Sequence, residues 1–306
     1  MSEIIHLTIP CALAGRRLDQ SLAELLPQHS RSRIQAWCDA GEVRLDGRPA
    51  SRKTKVHGGE AVELRAMPHA SEQPHRAEEI GLDVIHEDDD ILVVNKPPGL
   101  VTHPGAGNWS GTLLNALLHH CPGLAALPRA GIVHRLDKDT SGLMVVAKTP
   151  EAQTRLTRDL QTRTVKRVYW AVALGRFQTG EGVIDAPIGR HPVHRTRMAV
   201  VPGGKPAITH YRMLRQYAAA AWVECRLETG RTHQIRVHLA HIGHPLLGDP
   251  VYATHRHAPV RFHRQALHAR QLALSHPRTR SRMEWEAPPP DDLRMLLEQL
   301  EGGDAT

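Results

Sequence analysis

Three things are scarce in this sequence: cysteine, aromatic side chains and long apolar runs. Its 306 residues include four cysteines, two phenylalanines and four tyrosines. The cysteines form no CxxC pair, which argues against a disulfide framework and a structural zinc site. No apolar stretch approaches the roughly 20 residues that cross a bilayer, and the N-terminus lacks the basic-then-apolar order of a signal peptide. We therefore expect a cytoplasmic protein with no membrane span.

The chain is positively charged and rich in histidine. Lysine and arginine number 39 against 32 acidic residues, and the formal net charge is +7. Such an excess favours a polyanionic partner, although many mildly basic proteins bind nothing acidic. The 22 histidines raise a metal-dependent hydrolase as an alternative, but no HExxH motif is present and most histidines stand singly among polar residues. The pattern of histidines therefore does not favour a metal site.

Composition divides the chain into four segments. Residues 14–68 form a compact basic segment, and residues 69–80 are polar and contain proline, as is typical of a linker. Residues 81–292 contain many short apolar strands and few long helices. Because helices and strands do not alternate there, we predict an α+β domain on a mixed, largely antiparallel sheet. Residues 293–306 are predicted to form a C-terminal tail, which frays after Gln299.

The basic segment has the pattern of two helices followed by short strands. Leucines at 18, 22, 25 and 26 recur at helical spacing. Ser30 is a suitable N-cap for a second helix, and Gly41 ends it. A strand at 43–45 turns at Asp46-Gly47, and a last strand lies near 61–64.

This segment resembles the S4 RNA-binding domain at residues 17–19, 30–34 and 43–47. Its cations cluster at the ends of helices and turns, where backbone N–H groups also favour anions. The alternative is a small basic domain whose charges are merely solvated. The resemblance implies RNA binding, and we assign that role to Arg17, Arg31, Arg33, Arg44, Lys53 and Lys55.

The most informative segment of the larger domain runs from 134 to 143 and reads HRLDKDTSGL. It places Asp137 among cations, between apolar runs at 131–133 and 143–147. We predict two buried strands joined by a polar turn that holds the carboxylate rigidly. A salt-bridge cluster on a surface loop is the alternative, and for an arbitrary aspartate it is the commoner arrangement.

Two further segments contain side chains suited to a nucleic-acid site. Residues 227–238 read LETGRTHQIRVH, and their two arginines, five residues apart, cannot both lie in a core. Arg231 can hold a phosphate, and Arg236 can pair with a carboxylate such as Asp137. Tyr169 alternates with Arg167 along a predicted strand, where core packing is the commoner role and stacking on a base is our hypothesis.

These segments resemble the RluA family of pseudouridine synthases. The matches lie at residues 90–99, 134–143, 166–169 and 230–238, in the order and approximate spacing of that family. The resemblance implies the pseudouridine synthase core fold, with the catalytic cleft across the sheet, and a monomer. It implies four catalytic roles: Asp137 as the catalytic aspartate, Arg135 as the arginine that enters the space of the flipped nucleotide, Tyr169 as the tyrosine that stacks on the target base and helps to remove its C5 proton, and Arg236 as the arginine that keeps the aspartate ionised. We add Arg231 and His233 to the RNA-binding residues.

The resemblance also implies a substrate. Segments 101–108 and 191–200 resemble members that act on the large ribosomal subunit, which implies 23S ribosomal RNA as the partner and its helix 69 stem-loop as the target. Other RNA targets, transfer RNA among them, are an alternative, and so is a non-catalytic RNA-binding assembly factor.

The reaction explains the residue types. Isomerising uridine breaks the C1′–N1 bond, turns the uracil and joins C1′ to C5, which is redox-neutral and requires no metal or organic cofactor. A carboxylate can attack or stabilise the electron-poor sugar carbon, as in glycosidases, and the base must first leave the stack. Whether Asp137 forms an adduct at the sugar, attacks the base or abstracts a sugar proton stays open.

Overall fold

The chain divides into two compact units, Met1–Pro74 and His75–Thr306. The structure is a computed structural model, and it describes residues 3–67, 75–105, 108–254 and 257–303. Residues 69–74 of the predicted linker and residues 304–306 of the predicted tail lie outside that range. Among the described residues, no helix is both long and apolar enough to cross a membrane.

The first unit contains a four-stranded sheet with the order β1-β4-β2-β3 and two helices. Its elements are β1 (Glu3–Thr8), α1 (Leu18–Leu25), α2 (Arg31–Asp39), β2 (Val43–Leu45), β3 (Arg48–Pro49) and β4 (Ala61–Ala66). The predicted helices are confirmed, and the Ser30 hydroxyl accepts a hydrogen bond from the backbone N–H of Arg33 at 3.3 Å. Because β1 pairs with β4, this unit extends further towards the N-terminus than the predicted start at residue 14.

The second unit is built on a mixed sheet. Its strands are β5 (Val84–Glu87), β6 (Ile91–Lys96), β7 (Ser141–Ala147), β8 (Lys166–Leu174), β9 (Glu181–Asp185), β10 (Ile188–Arg190), β11 (Met198–Val200), β12 (Ile208–Gln216), β13 (Ala220–Leu227), β14 (Leu267–Ser275) and β15 (Arg282–Glu286). Its α-helices are α3 (Leu113–His120), α4 (Pro150–Gln161), α5 (Gln234–His241) and α6 (Asp291–Gly303). The main sheet has the order β5-β6-β7-β14-β8-β13-β12-β9, and β15 pairs with β14.

The pairing in this sheet is antiparallel except between β7 and β14, so the predicted mixed, largely antiparallel sheet is confirmed. Strands β10 and β11 form a separate ribbon. Gly142 lies where β7 meets β14, with φ of +113°, and a Cβ there would lie 2.3 Å from the backbone oxygen of Ala269. Glycine therefore permits the close approach of the two strands.

Helices cover both faces of the sheet. Tyr169 and Ala171 of β8 belong to the same buried cluster as α3 and α5. Val172 and Leu174, whose side chains point to the other face of β8, pack with α6. Since alternate strand residues point to opposite faces, α5 and α6 lie on opposite sides of β8.

The structure differs from the predicted boundaries in two places. Residues 291–303 form α6 rather than a free tail, because its leucines are almost completely buried; they are Leu293, Leu296, Leu297 and Leu300. The expected strand at 131–133 is absent: a 3-10 turn spans Pro128–Gly131, and Ile132 makes a single bridge to Val146. The expected polar turn at 140–142 is in part the beginning of β7.

Candidate active site

A cleft of about 510 Å³ opens on the face of the sheet that carries Tyr169. Its walls come from the loop before β7, from the start of β8 and from the segment between β13 and α5. The cleft brings together all six residues of the second unit that the sequence singled out: Arg135, Asp137, Tyr169, Arg231, His233 and Arg236.

Asp137 lies between two side chains from the beginning of α5. Its Oδ2 accepts a hydrogen bond from Nη1 of Arg236 at 3.0 Å, the contact that the sequence suggested. Its Oδ1 lies 3.9 Å from Nε2 of His233. The Asp137 side chain is 16% exposed and that of Arg236 is 5% exposed. The carboxylate therefore faces the cleft while its cationic partner is buried.

Arg236 is held from behind by a second carboxylate. Asp249 accepts hydrogen bonds from Nε at 2.7 Å and from Nη2 at 3.0 Å, and the ring of Tyr252 lies 5.2 Å from the guanidinium carbon. Burial lowers the pKa of Arg236, but the hydrogen bonds and charges of Asp249 and Asp137 outweigh it, and the net pKa is raised. The guanidinium is thus permanently charged beside Asp137.

Hydrogen bonds from three directions fix the loop that carries Asp137. The Thr102 hydroxyl donates to the backbone oxygen of Leu136 at 2.8 Å. The His134 ring accepts at Nε2 from the backbone N–H of Val145 at 3.1 Å. Strand β7 pairs with β14 at two residues, Ser141 and Gly142. The N–H of Val145 lies beyond that pairing and donates to the imidazole instead, so His134 ties the loop to the strand.

The third contact comes from Lys96, which is 1% exposed. Its ammonium donates to three backbone oxygens, those of Pro97, Leu100 and Lys138. Burial lowers the pKa of Lys96 to about 7, against the opposing influence of Asp139 and Asp137. Lys138 follows Asp137 directly, so Lys96 restrains the backbone on the far side of the carboxylate.

His233 has a strained backbone. It precedes α5 with φ of +56° and ψ of +23°, a left-handed conformation that is costly for a residue with a side chain and that concentrates at functional sites. Its Nδ1 lies 2.9 Å from the Tyr252 hydroxyl, which also accepts the backbone N–H of Met198 at 3.0 Å. The hydroxyl therefore donates to Nδ1, which leaves the proton of neutral His233 on Nε2, facing Asp137.

Tyr169 and Arg135 differ in burial. Tyr169 is 5% exposed, and burial raises the pKa of its phenol, so the ring is neutral and in place before substrate arrives. Arg135 is exposed, and within the described residues it has no hydrogen-bond or ion-pair partner. Its guanidinium is therefore not held in place by another described residue.

The guanidinium of Arg231 makes one hydrogen bond within the described residues. Its Nε donates to the backbone oxygen of Pro206 at 3.0 Å, and the side chain lines the cleft. The remaining donors of its guanidinium can contact a phosphate.

In the first unit, two of the predicted RNA-binding residues contact a buried carboxylate. Asp19 is 0% exposed and accepts hydrogen bonds from Arg17 at 2.9 Å, from Arg31 at 2.9 Å and from Gln35 at 2.6 Å. Burial raises the pKa of Asp19, but these donors lower it by a larger amount, so the net pKa lies below its ordinary value. Arg17 and Arg31 thus have a structural role whatever else they bind.

The other four predicted RNA-binding residues are placed differently. Arg44, Lys53 and Lys55 are exposed, and a backbone bridge brings Lys55 beside Arg17. The Arg33 guanidinium lies over the ring of Trp37, 5.1 Å from its centroid.

Several residues at the site were not identified from the sequence. Asp249 lies in the segment GHPLLGDP, whose acidic residue has no neighbouring charge to mark it. Tyr252 and Lys96 are recognisable only from the contacts described above. The sequence marks Arg167 only as a neighbour of Tyr169, although its position two residues earlier places both side chains on one face of the strand.

One group of possible metal ligands lies among the described residues, outside the cleft. Single ligand atoms of Asp88, Asp90 and His276 lie within 4.8 Å of one another. However, Arg278 donates to Asp90, His86 contacts Asp88, and the Nδ1 atom of His276 accepts two backbone N–H groups. Both carboxylates and the imidazole therefore already have hydrogen-bond partners within the protein.

Comparison with known proteins agrees with this geometry. Residues 90–241 match the model of the RNA pseudouridylate synthase family, and residues 16–62 match that of the S4 domain. The chain is 58% identical over 302 residues to the ribosomal large subunit pseudouridine synthase D of Nitrosomonas europaea, with 97% of this chain and 88% of the relative covered. It is 51% identical to the protein of that name from Pseudomonas aeruginosa, covering 98% and 97% of the two chains.

Solved structures with lower sequence identity point to the same family. Human RNA Pseudouridylate Synthase Domain Containing 4 is 28% identical with a TM-score of 0.57, covering 71% of this chain and 92% of the human one. Human RNA Pseudouridylate Synthase Domain Containing 1 is 27% identical with a TM-score of 0.56, covering 74% and 96%. The chain therefore belongs to the RluA-type RNA pseudouridine synthases that have an S4 domain at the N-terminus.

Proposed function

We propose that this enzyme isomerises uridine to pseudouridine in 23S ribosomal RNA, at the helix 69 stem-loop, with Asp137 as the catalytic carboxylate. The observation that carries the assignment of Asp137 is its placement in the cleft, 3.0 Å from a buried arginine that a second aspartate holds. The relatives that match over nearly the whole chain bear names that specify the ribosomal large subunit, which supports the choice of RNA.

The proposed reaction assigns a separate task to each side chain. Arg135 takes the place of the target nucleotide in the RNA, which compensates part of the cost of unstacking. Tyr169 stacks on the extruded base. Arg236 pairs with the Asp137 carboxylate and orients it towards the cleft, so that it can act on the nucleotide as the C1′–N1 bond breaks. The C1′–C5 bond then forms, C5 loses its proton and N1 gains one.

We further propose that a single chain is the active unit and that it acts in the cytoplasm. The six predicted residues of the second unit line one cleft of one chain, so a second copy is not required to complete the site. The cations of the S4 domain add contacts to the RNA backbone, which position the substrate without reading its sequence.

The test is tritium release. The purified protein is incubated with 23S ribosomal RNA labelled at uracil C5, and tritium in the water is counted. We expect release with the wild-type protein, none with Asp137→Asn, and unchanged RNA binding by that variant. Asp89→Asn, which removes an exposed carboxylate in another loop, is the matched control and should retain activity.

The same assay tests the choice of RNA. We expect a transcript that lacks helix 69 to release no tritium and an isolated helix 69 stem-loop to remain a substrate. Release from transfer RNA but not from ribosomal RNA would contradict the proposed substrate and leave the isomerase assignment intact. Absence of release from any RNA by the folded protein would contradict both.

A further inference from the structure

Arg167 is a buried arginine on the floor of the cleft. It lies two residues before Tyr169 on β8, so the two side chains share one face of the strand, and both line the cleft. The residue is 7% exposed. None of the catalytic roles described above uses it.

The guanidinium of Arg167 has no carboxylate partner among the described residues. Of its five N–H donors, one has an acceptor there: Nη2 donates to the backbone oxygen of Glu228 at 3.3 Å. Its Nε is buried and has no acceptor in that part of the chain. Burial lowers the pKa of Arg167, and the group that opposes this effect is the phenol of Tyr169, which is itself neutral. A buried cation without a counterion is costly. A ligand that brings negative charge next to Arg167 would offset that cost.

A glycine makes room for this guanidinium. A Cβ on Gly230 would lie 2.7 Å from Nη1 of Arg167, which is closer than two such atoms can approach. Gly230 begins the segment that supplies Arg231, His233 and Arg236 to the cleft. The position of Arg167 is therefore set by the same segment that surrounds Asp137.

We propose that Arg167 binds the carbonyl oxygens of the extruded uracil and stabilises the negative charge that the base acquires when the C1′–N1 bond breaks. In that step the bonding electron pair goes to N1 and is shared with O2 and O4, while C1′ becomes electron-poor beside Asp137. When C1′ bonds to C5, the C5 proton is released and N1 takes one up, so charge and atoms balance. The inference rests on the proposed isomerisation.

Two observations favour the base over an RNA phosphate as the ligand. A side chain that is 7% exposed is reached by a base inserted into the cleft, whereas phosphates remain at the surface of the RNA. Arg167 also lies about 7 Å along the strand from Tyr169, from the rise of two residues, so its long side chain can reach the edge of a base that stacks on that ring. A planar guanidinium fork suits carbonyl oxygens at such an edge.

The test compares Arg167→Met and Arg167→Lys with the wild-type enzyme in single-turnover tritium release. We expect Arg167→Met to lower the rate at saturating RNA by about 100-fold or more, as loss of one donor to a developing oxyanion does, with RNA affinity and its salt dependence unchanged. Arg167→Lys, which keeps the charge and loses the fork, should lie between the two. Lys166→Met removes an exposed cation from the same strand, outside the cleft, and should behave as wild type.

A second variant moves the guanidinium without removing it. Gly230→Ala places a methyl group against Nη1 and should also lower the rate with affinity unchanged, which keeps the proposal testable if Arg167→Met fails to fold. A wild-type rate in Arg167→Met overturns the inference while leaving the isomerase intact. Weaker binding with a smaller salt dependence and a normal saturated rate overturns it in favour of a phosphate contact. No release by the wild-type enzyme overturns the proposed function instead.

Discussion

Asp249 binds Arg236 through both carboxylate oxygens, at 2.7 and 3.0 Å, on the side of the guanidinium opposite Asp137. Arg236 therefore has one nitrogen for Asp137 and two that fix its own orientation. Asp249 is itself held, since its Oδ1 accepts the backbone N–H groups of Val251 and Tyr252 at 2.8 and 3.1 Å. The geometry of Asp137 thus depends on a residue that does not reach the cleft.

Replacing Asp249 by asparagine should impair catalysis through Arg236. The variant loses the charge that holds the guanidinium, and a shift of about 1 Å at a reacting group can cost about 100-fold in rate. We expect the single-turnover rate to fall by about 10- to 100-fold, and the free energy of unfolding to fall by about 1–3 kcal/mol, the usual contribution of hydrogen bonds to a charged group. Tritium release and denaturant unfolding measure the two effects.

The matched control for Asp249→Asn is Asp90→Asn. Asp90 binds Arg278 through both oxygens, each at 2.7 Å, but the pair lies outside the cleft. This variant should lose stability and keep the wild-type rate. If the two variants lose activity equally, Asp249 acts only through the stability of the fold.

The sequence predicted this site as far as its neighbouring residues allowed. Asp137 and Arg236 each stand in a segment with a distinctive series of residues, so both were identified and their contact was anticipated. Asp249 was missed because its partner is 13 residues away across a helix and a turn. A side chain that acts through another leaves little local pattern, and it becomes visible only when the chain is folded.

The secondary structure, too, is predictable from the sequence where its signals are local and not where it depends on tertiary packing. The helices of the first unit were predicted because their leucine spacing and the Ser30 cap are local signals. Helix α6 was missed because its sequence follows three prolines and ends in glycine, as a tail does. The packing of its leucines against β8 comes from tertiary contacts, which outweigh local propensity.

Tyr169→Phe separates the ring from its hydroxyl. The ring should still stack on a base, so RNA affinity and the free energy of unfolding should stay near wild type. If the phenol takes part in removing the C5 proton, the rate of tritium release falls by about 100-fold or more, as removal of a general base does. Tyr211→Phe removes a hydroxyl whose one hydrogen-bond partner among the described residues is Thr179, and it should leave the rate unchanged. A normal rate in Tyr169→Phe would limit the residue to stacking.

Arg135→Ala should affect base flipping alone. The side chain is exposed, so the free energy of unfolding should change by less than about 0.5 kcal/mol. Extruding a stacked base costs a few kcal/mol, and we expect a large loss of rate with a structured stem-loop but a small one with an unstructured strand of the same sequence. Lys138→Ala, an exposed cation in the same loop, is the control. Equal losses on both RNAs would contradict a role in flipping.

His134 makes the loop that carries Asp137 sensitive to acid. Burial, and to a lesser extent the charge of Arg167, lowers the pKa of His134 to about 3 from an ordinary 6.5. Protonation would also replace the acceptor that the Val145 N–H requires. Between those two pH values the unfolded chain binds a proton that the folded protein does not, so this residue lowers stability as the pH falls from about 6.5 to about 3.

Replacing His134 by glutamine should remove that dependence. The amide oxygen can still accept the Val145 N–H, but the side chain no longer titrates. We expect the free energy of unfolding of wild-type protein to fall more steeply than that of the variant below pH 6.5, by up to about 1.4 kcal/mol per pH unit, the value for one proton. Denaturant unfolding across this range measures the slope. His241→Gln, which removes an exposed imidazole, should keep the wild-type slope. Parallel curves for wild type and His134→Gln would mean that His134 binds its proton equally well in the folded protein and in the unfolded chain. The loop would then be held in another way.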